Sequence, residues 1–167
     1  MEPRERFLGK EINYTRGRFF VDTNLLVYSY DSTAGKKWED SSEILSLLWT
    51  HRNGVLSTQV LQELFVSLTQ KVKSPISPEA AREIVSDLLH WPLIVNDGKS
   101  IIRAIDLQIK YRFSFWDSLI LQAAVAGKAE FLLLEDFQDG QVVESITIVN
   151  PFLQYCSSLF YLGSLNL

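Results

Sequence analysis

The chain has 167 residues, of which 47% are hydrophobic and 22% charged, with a net charge of −4. That length suits one domain able to bury roughly two thirds of its unfolded surface, and the hydrophobic share excludes a disordered or fibrous protein. The negative balance argues against nucleic-acid binding over the whole surface, although local Lys and Arg pairs before Lys128 leave room for one basic face.

The N-terminal stretch MEPRERFLGKEINYTRGR is charged and lacks the apolar centre of a signal peptide; residues 1–17 read as an arm. No stretch approaches the ~20 apolar residues of a membrane span. Cys156 is the only cysteine and permits no internal disulfide, which suits a reducing compartment. A cytoplasmic protein with no membrane partner is expected.

Next comes FFVDTNLLVYSYD, residues 19 to 31. Phe19 to Val21 suit a short strand, and Leu25, Leu26 and Tyr28 to Tyr30 suit a helix that packs back onto a sheet. Asp22 between them must lie at an edge, because an isolated buried charge costs several kcal/mol or neutralises itself. A helix cap is the ordinary reading of Asp22, Thr23 and Asn24.

Residues 36 to 52 place Trp38, Ser41, Ser42, Leu45, Leu48 and Trp49 at helical spacing, and Gly54 ends that segment. A strand over Val55 to Ser57 leads into Thr58 as N-cap, and Leu61, Leu64, Phe65, Leu68 and Val72 form one apolar helical stripe. Lys73-Ser74-Pro75 breaks it, and Ser77-Pro78 opens a helix running to about His90. Leu93 to Val95 reads as the third strand. A helix is predicted over about 99–111, and Ser114 opens another through Gly127. Phe131 to Leu134 and Ile146 to Val149 make the fourth and fifth strands. This alternation predicts a single α/β domain over 18–151 with a mostly parallel sheet flanked by helices on both faces. The uncharged tail, 152–167, is expected to pack on its own domain or against a second subunit.

On this scheme four acids fall beyond strand ends, where ligands of open α/β sheets gather. Asp22 follows the first strand, and Glu63 lies about five residues into the helix after the second, roughly 8 Å along its axis. Asp117 opens a helix and Asp136 follows the fourth strand. Each has an ordinary alternative: Ser114-x-x-Asp117 fits a capping box, Asp136 and Asp139-Gly140 fit a turn, and Glu63 fits plain helix surface. Taken together, clustered carboxylates call for a cation, and an all-oxygen set selects Mg²⁺ or Mn²⁺. His51 and His90, at helix ends, read as structural.

The sequence resembles the PIN-domain nucleases, and within them the VapC-type toxins of toxin/antitoxin pairs, over about residues 18 to 151. The resemblance rests on FFVDTNLLVY, LSTQVLQELF, FSFWDSLILQAA and LLLEDFQDG in that order, with a closing strand ending IVNPF. It implies an acidic quartet of Asp22, Glu63, Asp117 and Asp136, serving as both metal ligands and catalytic groups, with Asn24 as a supporting polar residue. It further implies Mg²⁺, with Mn²⁺ as substitute, an RNA substrate, an antitoxin partner and a homodimer. Leu134 departs from the family's Ser or Thr two residues before the last Asp, and adjacent Glu135 is an alternative to Asp136. A non-toxin RNA-processing nuclease and a catalytically weak binding module remain open. A phosphatase of the haloacid dehalogenase type would need a second Asp at position 24, where this chain has Asn24.

Overall fold

A strand buried on both faces shows no alternation of polar and apolar residues, because successive side chains point to opposite sides of the sheet. Phe19, Phe20 and Val21 are all fully buried, so the strand they form is covered above and below. The computed structural model describes residues 12–153. Most of the expected arm, and the tail beyond Leu153, lie outside the described residues.

The elements follow the alternation read from the sequence: β1 (Phe19–Val21), α1 (Thr23–Tyr30), α2 (Lys36–His51), β2 (Gly54–Ser57), α3 (Thr58–Val66), α4 (Pro78–Leu88), β3 (Leu93–Ile94), α5 (Gly98–Tyr111), α6 (Phe115–Ala126), β4 (Phe131–Leu133), β5 (Val142–Val143) and β6 (Ile146–Val149). The six strands lie in the order β3-β2-β1-β4-β6-β5. All neighbours are parallel except β5, which runs antiparallel to β6. Helices α1 to α4 pack on one another in one group, and α5 packs on α6 in another. None of the helices among the described residues is long and apolar enough to cross a membrane.

Short polar side chains set the helix starts. Ser57, one residue earlier than expected, caps α3 by accepting from the Val60 N–H at 3.4 Å. Ser77 accepts from the Ala80 N–H ahead of Pro78, as its sequence predicts. Asp97 and Ser100 make a reciprocal capping box at the start of α5. The apolar stripe expected to continue to Val72 does not stay α-helical: α3 ends at Val66 and a wider π-helical turn, Ser67–Lys71, delivers Leu68 to the core. In α2 the buried stripe is Ser41, Ile44, Leu45 and Leu48, while Trp38 is exposed. Trp49 leans edge-on against Trp91, with ring centroids 5.2 Å apart.

Gly54 does more than end α2. It is the first residue of β2, and the Trp91 ring lies against its Cα so closely that a Cβ would come within 2.0 Å of a ring carbon. Trp91 is itself buried in the core. Gly54→Ala is therefore expected to destabilise the fold by about 1–3 kcal/mol or more, the usual cost of overpacking, as read from urea denaturation. Unchanged stability would mean that the indole shifts freely.

Candidate active site

The strand order reverses beside β1. From β1 the chain steps through β2 to β3 on one side, then returns to place β4 and β6 on the other. Crevices at such reversals, outside the carboxyl ends of the strands, are where open α/β sheets bind ligands. Asp22 stands at that point: its N–H bonds the Leu133 carbonyl at 3.2 Å, so the residue continues the β1–β4 pairing as its side chain turns to α1.

The helix-cap reading holds for Asp22. It is the N-cap of α1, accepting from the Asn24 N–H at 3.4 Å. It is also buried, 8% exposed. Burial raises its pKa from the ordinary 3.8 to about 6, against the lowering effect of the Thr23 and Asn24 N–H groups, and the charges of Glu63 and Asp117 push it further up. Three of the four expected acids thus share one electrostatic neighbourhood although they come from the N-cap of α1, from α3 and from α6.

Glu63 is held at both oxygens. The Thr23 hydroxyl donates to Oε2 at 2.7 Å, and the Gln59 amide, one turn back on α3, donates to Oε1 at 2.9 Å. Thr23 therefore ties the start of α1 to α3. These two holders escaped the sequence reading, although Gln at four residues before Glu on a helix is a recognisable pair. Asp117 is half-buried in the first turn of α6. The Ser114 side chain accepts from its N–H at 3.1 Å and donates its hydroxyl to Asp117 Oδ2 at 2.5 Å. The S-x-x-D pattern does cap the helix, but the carboxylate meets the serine hydroxyl rather than reaching the N-cap backbone.

The fourth corner is looser. Asp136 is exposed on the loop after β4 and is not among the charges acting on Asp22. Leu134 is buried in the core and its N–H bonds the Val149 carbonyl at 3.0 Å, extending the sheet instead of offering a hydroxyl. Glu135 is engaged elsewhere: it pairs with Lys37 on α2 and accepts from the Tyr28 hydroxyl at 3.1 Å. Asn24 is partly exposed and contributes its backbone N–H to Asp22.

The donor chemistry of Asp22, Glu63 and Asp117 fits a hard divalent cation: it is all oxygen, and its one buried carboxylate is pressed toward protonation by burial and, to a smaller extent, by its acidic neighbours. As the side chains stand, no three acidic, His or Cys groups among the described residues are close enough together to hold an ion. Each held carboxylate oxygen keeps a lone pair beyond its present donor.

No family model matches this sequence, and no curated protein matches it. Solved structures do. A toxin-antitoxin complex from Klebsiella pneumoniae superposes with a TM-score of 0.59 at 17% identity, over 80% of this chain and 97% of that one. The DNA-bound VapBC of Salmonella typhimurium gives 0.56 at 16% identity, over 80% and 97%. The sarcin-ricin loop cleaving toxin VapC20 of Mycobacterium tuberculosis gives 0.52 at 14% identity, over 68% and 86%. What this chain shares with them is the fold, that of the VapC-type PIN-domain toxins.

A proton binds Asp22 more tightly in the folded than in the unfolded chain, so its contribution to stability is complete below pH ~4 and is lost as pH rises through about 6. In chelator, wild-type stability should fall between pH 4.5 and 7.5 by about 2 kcal/mol more than that of Asp22→Asn, at ~1.4 kcal/mol per pKa unit, since about a third of the full shift is already lost by pH 4.5. Parallel urea titrations at several pH values check this. Equal slopes for the two proteins would remove Asp22 as the source.

Proposed function

We propose that the chain is a metal-dependent endoribonuclease, the toxin of a toxin/antitoxin pair, working through Asp22, Glu63, Asp117 and Asp136. The observation that carries the reading is the buried Asp22 at the sheet's reversal point, with the charges of Glu63 and Asp117 bearing on it. The shared fold with VapC-type toxins and the order of the sequence motifs support the choice of RNA.

Asp22, Glu63 and Asp117 would hold Mg²⁺, or Mn²⁺ in its place, with Asp136 joining from its loop and Asn24 supporting Asp22. A bound ion of this kind lowers the pKa of a water and neutralises charge on a phosphodiester. The chain's own part is to arrange and to limit. Thr23 and Gln59 hold Glu63 in one orientation, which suits it to orient an attacking water. Ser114 holds Asp117, and the apolar ends of β1 and β4 exclude bulk water from Asp22. The buried Leu134 and the exposed Asp136 favour one second reading, a catalytically weak PIN-fold module that binds RNA or protein.

Two partners complete the proposal. An antitoxin is supported by the neighbours, which were solved as toxin-antitoxin and VapBC complexes. A second copy of the chain is supported by α5, which has two apolar faces. Ala104 and Leu107 face the protein, while Ile101, Ile102, Ile105 and Ile109 form an exposed stripe roughly 100° wide on the other side.

Purified protein should cleave a mixed RNA pool with Mg²⁺ or Mn²⁺, lose that activity in EDTA and not regain it with Ca²⁺, whose looser coordination activates water poorly. Asp117→Asn should abolish the cut while remaining folded. Full activity in EDTA overturns the mechanism, and no cleavage under any metal leaves the binding module. Separately, Ile109→Glu should shift the protein from dimer to monomer in analytical ultracentrifugation; a wild-type monomer would end the self-association proposal.

A further inference from the structure

Lys37 stands in the first turn of α2, the end of a helix where the backbone dipole disfavours a cation. Its ammonium is directed instead onto a cluster built by separate parts of the chain. It pairs with Glu135 Oε1, while the Tyr28 hydroxyl of α1 donates to Glu135 Oε2 at 3.1 Å. The same ammonium lies 4.7 Å from the centre of the Tyr28 ring and 5.1 Å from that of Phe152, and the two rings meet edge-on at 5.4 Å. Glu135 thus has both carboxylate oxygens occupied, and the Asn150 side chain donates to its carbonyl at 3.2 Å. A partly exposed ion pair adds little to stability, so a holder fitted this closely calls for a role beyond the fold.

Glu135 immediately precedes Asp136, and the chain after Asp136 is fastened as well. Phe137 packs on Phe113 with ring centroids 4.5 Å apart, and Phe113 precedes Ser114, which holds Asp117. Two residues further on, Asp139 Oδ1 accepts from the Asn150 N–H at 2.8 Å. On the strand side, the Leu133 carbonyl accepts from the Asp22 N–H. Asp136 is therefore an exposed acid on a loop whose neighbours are tied to α1, to α2 and to the segment that opens α6, and it makes none of these bonds itself.

We propose that Lys37 is a positioning residue for the metal centre: by clamping Glu135 it holds the loop so that Asp136 completes the acidic quartet. The inference rests on the metal-dependent reading of the four acids. The clamp also has an electrostatic effect. A released Glu135 would put an unpaired charge next to Asp136, raising the cost of ionising it, and as a neighbouring oxygen donor it would compete with Asp136 for the ion. Paired with Lys37 and the Tyr28 hydroxyl, it does neither.

The test uses the full chain and Mn²⁺, whose binding is followed by electron paramagnetic resonance without turnover, beside Mg²⁺-dependent cleavage of a mixed RNA pool. Lys37→Met keeps an apolar stem against the two rings and removes the charge. It should weaken Mn²⁺ binding by about 10-fold, the lower end of what outer partners of metal ligands are worth, and lower kcat with KM for RNA unchanged. Lys37→Arg should restore most of the loss. Glu135→Ala removes the other half of the clamp and should show the same loss, so the result does not hang on one variant folding. Combining Lys37→Met with Asp136→Asn should cost no more Mn²⁺ affinity than Asp136→Asn alone, because Lys37 acts through Asp136. Wild-type affinity in Lys37→Met, or losses that multiply in the double variant, would overturn the positioning role and leave the nuclease standing. Asp136→Asn with wild-type affinity and cleavage would remove the corner that the clamp serves, and the proposal with it. A wild type that binds no Mn²⁺ would overturn the clamp and the metal-dependent reading together.

Discussion

The placement of one carboxylate organises this molecule. β1 is buried along its whole length, and the first polar residue after it is Asp22, set where apolar walls end and a helix begins. Desolvation makes the charge of that group costly, and two further acids directed at it add to the cost. The same residue caps α1, and the next one, Thr23, reaches across to Glu63. The local demand of a helix start and the assembly of a polar centre are met by three consecutive residues, Asp22, Thr23 and Asn24.

Around this point the acids differ in how firmly they are held. Glu63 and Asp117 are each restrained by hydroxyl or amide donors on regular helices. Asp136 rides on a loop whose nearest tether is its neighbour, Glu135, bound to Lys37; the Lys37 ammonium also lies 4.7 Å from the centre of the Tyr28 ring and 5.1 Å from that of Phe152. The Asn150 side chain adds a bond to the Glu135 carbonyl at 3.2 Å. Position 136 is thus controlled indirectly, from α2 and from the end of β6.

Much of the fold was legible because the strongest signals are local. Unbroken apolar triplets marked the buried strands, Ser and Pro marked helix starts, and the spacing of Asp22, Glu63, Asp117 and Asp136 against strand ends identified the acids worth weighing. What escaped depends on partners distant in sequence or on unusual backbone. The β5–β6 hairpin turns at Glu144-Ser145, with φ of 50° and 67°, a conformation usually signalled by Asn or Gly. Lys110 and the Tyr111 hydroxyl hold Glu144 at 2.6 and 2.7 Å across the chain, a compensation invisible in a local pattern. Thr23 and Glu63 are forty residues apart, and the close packing of Trp91 on Gly54 likewise follows only from the fold.

The sheet's topology has a bearing on when the centre can exist. β1 pairs with β2 soon after synthesis, but its other partner is β4, so that Phe19 stands beside Phe131. Asp117 comes into place on α6, immediately ahead of β4. Contacts this far apart along the chain form late, and a nascent polypeptide advances from its N-terminus at about 5–20 residues per second. The acids therefore stay dispersed until α6 and β4 have been translated, and a ribosome making this chain carries no assembled centre before those elements have emerged.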